Sequence, residues 1–346
     1  MEIPKARPRV YIEIIETLRG VASLGVVLYH FANSTLPTIK PNPIGSYFEW
    51  AKLGIPMFFI ISAYIIPYSM YSSGYTIKDG WKFMIRRLAR IGPPSWLAIL
   101  LMAGVYYGAV WMNGHPIEGM TWPGAHFGTI LANLFYSFTL FDTGMYIEVY
   151  WTLEIEFQFY IFIALMFPVI LKNTGNLTQL SILLLLLSLT YYIPGHRVLF
   201  FRDNAFFILG ILLFLYKMEL LPRPWFIYAM LSAILMCYIQ HGVYGTAGSL
   251  IALLAIAFVK FSHPFTNFLG MISYSLYITH HFSGVVAEFL LRNITGHDVS
   301  DPVKILMLLI YTAISIAFAY VFYLVIEKPF IRISHQLFNK KKKQTT

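Results

Sequence analysis

Arg19 and His30 lie eleven positions apart in a mostly apolar run, residues 12–31, that also holds Glu13 and Glu16. At about 100° per residue, eleven steps make roughly three turns plus about 20°, so on a helix the guanidinium and imidazole share one face ~16 Å apart. Ionisable side chains at bilayer depth are costly to expose, and two on one stripe face protein interior or a water-filled cavity. Arg19 could also neutralise Glu16, three residues earlier. A second group lies in Trp151-Thr152-Leu153-Glu154-Ile155-Glu156-Phe157-Gln158-Phe159-Tyr160. Glu156 and Tyr160 fall on one helical face and Trp151, Glu154 and Gln158 on another, so one carboxylate can meet a cavity while the other supports packing. A third group is basic: Lys78, Lys82, Arg86, Arg87 and Arg90 precede Ile91-Gly92-Pro93-Pro94. These cations either anchor a span beside anionic lipid or form a phosphate cradle, with Arg86 and Arg90 one turn apart and Arg87 beside them. Ser273, Tyr274, Tyr277 and His280 fall in another apolar run, where such groups join helices through hydrogen bonds.

The elements that must hold these groups follow from composition. Hydrophobic residues make up 58% of the 346 and charged residues 12%, against about 25% charged in soluble domains, and the mean hydropathy is +0.65. The chain reads as an all-α, polytopic membrane protein forming a single embedded domain over 1–346. Spans are expected at 13–33, 50–71, 92–112, 151–171, 178–194, 203–216, 225–240, 245–260, 269–291 and 304–327, near the ~20 residues a bilayer needs or somewhat short of it. Residues 127–141 are ambiguous by hydropathy alone. With ten spans and a cytoplasmic N-terminus, only Lys40, Lys52, Arg197, Arg202, Arg292 and Lys304 of the 25 Lys and Arg fall outside, and all the others except Arg19 fall inside. Letting 127–141 cross would divide them evenly, so the positive-inside rule makes that stretch a re-entrant or interfacial piece. Both termini, 1–11 and the basic tail 333–346, are then cytoplasmic. Arg19 sits toward the inner half of its span, while His30 and Glu156 sit at similar depth toward the outer surface.

Several classes are set aside. The single cysteine, Cys237, excludes an intramolecular disulfide and a Cys-rich metal site, and no metal or resident cofactor is expected. The net charge of +9 is accounted for by topology and membrane lipid, so no nucleic-acid partner is expected. No internal repeat of the kind found in many transporters is visible, nor is a cleavable leader, since the first span keeps Arg19 and His30.

Taken together the segments resemble the acyltransferase-3 family of integral membrane acyltransferases, which includes O-antigen and other surface-glycan O-acetylases. The pieces are Leu18-Arg19-Gly20 with His30; Phe58-Phe59-Ile60-Ile61-Ser62-Ala63-Tyr64; Arg86 and Arg90 with Ile91; Trp151-Thr152-Leu153 with Glu156 and Phe159-Tyr160; Leu269-Gly270 with Ile272-Ser273-Tyr274-Ser275-Leu276-Tyr277 and His280; and Ile326-Glu327-Lys328-Pro329. Ala63 stands where many members have Gly, Thr152 where many have Ser, and Phe157 where many have a second acidic or polar residue.

The resemblance implies transfer of an acyl group, most often acetyl, from acetyl-CoA as co-substrate to a hydroxyl of a carbohydrate or glycolipid acceptor, in a bacterial cytoplasmic (inner) membrane. It implies a direct part for His30, as general base or acyl carrier, with Arg19 its companion and Glu156 the third catalytic candidate. Arg86, Arg87 and Arg90 would hold the polyanionic donor. Trp151, Tyr160, Ser273, Tyr274, Tyr277 and His280 would face the acceptor or support the site. The alternative is a transporter or flippase for a lipid-linked or small polar substrate, with the buried Arg, His and Glu as its path. Acceptor identity and oligomeric state are not written in the sequence.

Overall fold

The computed structural model describes residues 13–35, 44–116, 122–193, 199–261, 263–295 and 300–338. The extreme N-terminal segment and the lysines at 340–343 lie outside the described residues. Within them every regular element is helical: α1 Glu13–His30, α2 Ile44–Tyr47, α3 Gly54–Ser72, α4 Gly80–Asn113, α5 Phe127–Leu134, α6 Trp151–Asn173, α7 Leu177–Leu189, α8 Asn204–Lys217, α9 Arg223–Phe258, α10 Pro264–Met271, α11 Ser273–Thr295, α12 Asp301–Phe322 and α13 Lys328–Gln336, with short 3₁₀ and π turns between. Six of the helical stretches are long and apolar enough by themselves to cross a membrane, and the chain is an all-α polytopic membrane protein.

Each of the ten expected spans coincides with helix, and the departures have physical causes. The spans 225–240 and 245–260 form one continuous helical stretch, α9, interrupted at Gly242, whose φ of 63° and ψ of −159° lie where only glycine sits without strain. The chain folds back there. Cys237 Sγ reaches Ser249 Oγ at 3.8 Å, although twelve residues of straight helix would separate them by ~18 Å. The basic stretch expected as a 72–91 loop is a loop only as far as residue 79. Thr76 N and Oγ1 donate to Asp79 Oδ2 at 3.2 and 2.8 Å, and α4 then runs from Gly80 through Pro93 and Pro94 without ending. Arg86, Arg87 and Arg90 therefore ride on the same helix that crosses the bilayer. Gly114, with a φ of 78°, closes it.

α8 has only fourteen residues, short for a bilayer. Asn204 to Leu215 are all buried, so its length need match protein neighbours rather than lipid, which also explains why it is apolar all round. Phe207 stacks on Phe159 of α6 at 4.1 Å between ring centroids. α5 has eight residues, ~12 Å of helix, so 127–141 does not span. Asn133 ties it down, donating to the Thr129 and Gly144 carbonyls and accepting from Tyr146 N, all at 2.9–3.0 Å.

Small residues let helices approach where the site is built. A Cβ on Gly270 would lie 2.1 Å from the Glu16 carbonyl oxygen, and one on Gly20 would lie 2.6 Å from the Thr266 carbonyl oxygen. These two glycines thus seat α10 against α1 beside Arg19. On α3, fully buried Ala63 takes the same part, since a Cβ on Gly210 of α8 would lie 2.5 Å from its own. We expect Gly270→Ala to separate α1 from α10 and cost about 3 kcal/mol, the upper end of overpacking penalties. Thermal unfolding in detergent, followed by size-exclusion of the surviving monodisperse fraction, measures it.

Candidate active site

α1, α3, α4, α6 and α11 enclose a cavity of about 570 Å³, within the range of small-molecule sites. Arg19, Arg87 and Arg90 line one part of its wall, Ser62, Glu156 and Tyr160 another, and Ser273, Tyr274 and Tyr277 a third. Charged groups that cannot face lipid are thus turned inward from three helices.

The arginines are close enough to repel, since Arg90 lies in the electrostatic field of both Arg19 and Arg87. Glu16 offsets part of this charge, 3.9 Å from Arg19. Buried Glu327 offsets more: it lies in the field of Arg90 and Arg19, and its Oε2 accepts from Ser275 N and Oγ at 3.2 and 2.5 Å. The Arg87 guanidinium sits 5.2 Å from the Tyr160 ring centre and 5.3 Å from that of Phe83, as cation–π contacts require. An arrangement of three guanidiniums around a cavity suits a multiply charged anion.

Arg86 is engaged elsewhere. Its Nε and Nη2 donate to the Leu337 carbonyl at 3.0 and 2.8 Å, and its guanidinium lies 5.8 Å from the Phe338 ring centre. It holds the chain just past α13, and Arg19 rather than Arg86 completes the basic wall.

The two carboxylates of α6 divide as their spacing implies. Glu156 lines the cavity, its Oε1 accepting from Ser62 Oγ and Tyr160 OH, both at 2.6 Å. Glu154, 1% exposed, accepts from Thr139 Oγ1 at 2.6 Å and Thr139 N at 3.2 Å and so pins the non-spanning segment to α6. Phe157 packs in an aromatic cluster, its ring centre 5.3 Å from that of Tyr136. The Thr152 hydroxyl meets Tyr277 OH at 2.6 Å.

Tyr277 marks the boundary between the cavity and His30. It lines the cavity, and its carbonyl faces His280 Nδ1 at 2.7 Å. His30 is not in the cavity wall. It meets His280 and its neighbour His281, with ring centroids 5.3 and 5.0 Å away, and a π turn over Phe31–Thr35 follows directly. Trp151 lies in neither place. It lines a second cavity of about 390 Å³ with Lys52, Asp203, Gln240 and His241, and Arg202 covers its ring at 4.8 Å. Ile55 borders both cavities. Tyr274 OH donates to the Ile91 carbonyl at 2.7 Å, joining α11 to α4, while buried Ser273 Oγ has no hydrogen-bond partner.

Ser62, Glu327 and His281 were not singled out from sequence as site residues. Each carried a signal: a hydroxyl inside a quoted motif, an acid within an apolar run, and a second imidazole beside the first.

With this geometry in view, the family model described as an acyltransferase domain matches residues 12–324, about nine-tenths of the chain. The protein belongs to the acyltransferase-3 family and is a multi-pass membrane acyltransferase, which sets the transporter alternative aside. No curated protein and no solved structure matches it.

Thr139→Ala leaves Glu154 a buried acceptor short of a donor and is expected to cost about 1–3 kcal/mol while leaving the cavity residues in place. Comparing its thermal unfolding with that of Ser62→Ala, which removes a donor to the cavity carboxylate instead, separates the two roles.

Proposed function

We propose that the protein transfers an acyl group, most simply acetyl, from cytoplasmic acetyl-CoA to a hydroxyl of a carbohydrate or surface glycan at the opposite membrane face. The observation that carries this reading is the cavity whose wall gathers Arg19, Arg87 and Arg90 at one end of α1 while His30 sits at its other end. Guanidiniums make forked contacts to phosphate oxygens, so this wall suits the donor's polyphosphate. The flexible pantetheine arm would then run past Tyr274 and Tyr277 toward His30, a passage that requires the Tyr277 side chain to leave Thr152.

His30 acts as general base in this scheme. Its imidazole takes the proton of the acceptor hydroxyl as that oxygen attacks the thioester carbonyl, and the ester forms as CoA leaves as thiolate and is protonated. Glu156, held by Ser62 and Tyr160, orients groups along the arm. The charge distribution supports placing both termini in the cytoplasm, and the kind of acceptor proposed here supports a bacterial inner membrane.

The test uses purified protein in nanodiscs with acetyl-CoA and a glycan acceptor, reading acceptor-dependent release of the CoA thiol. Arg87→Ala and Arg90→Ala should each raise the donor KM about tenfold to hundredfold, from the loss of hydrogen bonds to charged groups worth about 1.5–3 kcal/mol. Arg86→Ala should leave it within about twofold. Rising salt should weaken donor binding. His30→Ala should abolish turnover and keep donor binding. An acyl-enzyme trapped on His30 would replace the general-base step with a covalent one, and thiol release that ignores the acceptor would refute the transfer reading.

A further inference from the structure

His30, His280 and His281 each direct one ring nitrogen into a common space, with the three atoms all within 4.8 Å of one another. Some point then lies no more than about 2.8 Å from all three, the radius of the smallest circle around such a triangle. That is hydrogen-bonding range, and shifts of about 0.7 Å in each side chain would bring it to the 2.0–2.1 Å of a zinc–imidazole bond.

The protonation pattern suits a cation. His280 Nδ1 lies 2.7 Å from the Tyr277 carbonyl, which can only accept, so that nitrogen carries the proton and Nε2 presents a bare lone pair. Metal-binding histidines are held in this way, with the distal N–H on a backbone carbonyl and the other nitrogen free for the metal. His280 is fully buried, and its Nε2 has no hydrogen-bond partner. The same holds for Nε2 of His281. Two buried, unsatisfied nitrogens beside a third imidazole are costly as they stand, and a shared ligand would remove that cost.

Tyr29 meets the His30 ring edge-on at 5.5 Å, and Phe31 lies 6.1 Å from that of His280, so the rings are fixed by packing. Neutral imidazole favours zinc, copper, nickel and cobalt over oxygen-seeking calcium or magnesium. Three imidazoles with a fourth position open to water is also the ligand count of reactive zinc centres.

We propose that His30, His280 and His281 form a binding site for a divalent transition-metal cation of the zinc class. An imidazole held by a metal has no lone pair left for a hydroxyl proton. If His30 is the base, as proposed above, cation and acyl transfer compete for it; that consequence rests on the functional reading, whereas the site itself does not.

The test takes full-length protein in nanodiscs, stripped with chelator and titrated with Co²⁺, whose visible absorption intensifies on low-coordinate nitrogen ligation. One equivalent should bind with that spectrum, raise the unfolding temperature and be displaced by Zn²⁺. His280→Asn and His281→Asn should each weaken binding at least about tenfold, while His126→Asn, at an exposed loop position, should not. Absence of the spectrum in the wild type, or its persistence in both histidine variants, would overturn the site. If either variant fails to fold, the other and the wild-type titration decide. Zn²⁺ at saturation should slow CoA release and chelator restore it; an unchanged rate at full occupancy would overturn the competition alone. The cobalt readout needs neither donor nor acceptor, so its failure and that of the transfer reading are distinguishable.

Discussion

A guanidinium or carboxylate has no tolerable partner in hydrocarbon, and the interior of this protein is organised around that cost. Arg19, Arg87 and Arg90 on two helices, Glu156 on a third and Glu327 at the end of a π turn all turn away from lipid. Once turned inward they must compensate one another or line a polar space, and both occur. Glu16 and Glu327 offset part of the positive charge, Ser275 satisfies Glu327, and the remaining polar surface bounds the cavity. The site is therefore the consequence of where charge can be stored in a bilayer.

Close helix approach makes this storage possible. Gly20 and Gly270 let α10 lie backbone-to-backbone on α1 at the level of Arg19, and Ala63 and Gly210 do the same between α3 and α8. Hydrophobic driving force between helices is weak in lipid, so contact of this kind and interhelical hydrogen bonds hold the bundle. Tyr274 to the Ile91 carbonyl, Thr152 with Tyr277, and Tyr150 to the Ser95 carbonyl are such bonds at 2.6–2.8 Å. Tyr277 belongs at once to this scaffold, the cavity wall and the support of His280, so packing and chemistry share a residue.

The two ends of α1 serve different environments. Arg19 belongs to a cluster whose charge is partly balanced by acids, whereas His30 belongs to a group of three imidazoles with aromatic neighbours. A rigid helix fixes their separation at ~16 Å, so anything acting on both must be extended. That constraint favours a long donor with its charge at one end and its reactive group at the other.

Composition and hydropathy were enough for an all-helical membrane protein and for the ten helical regions, and the distribution of Lys and Arg along the chain was enough to exclude 127–141 as a span. These properties are additive along the chain, because lipid imposes the same demand on every segment. Helical periodicity was also enough to send Glu154 and Glu156 to different sides, since face is a local property of a helix. The partners were decided only by the tertiary structure. Arg86 and Arg90, one turn apart, look alike in sequence, yet the Leu337 carbonyl takes Arg86 while Arg90 lines the cavity with Arg19. Trp151 and Glu156 share a helix, but Trp151 opens to a different cavity. His281 acquires meaning only when α11 packs on α1 and brings it to His30. Contacts between residues hundreds of positions apart depend on how helices pack, and no local pattern encodes that.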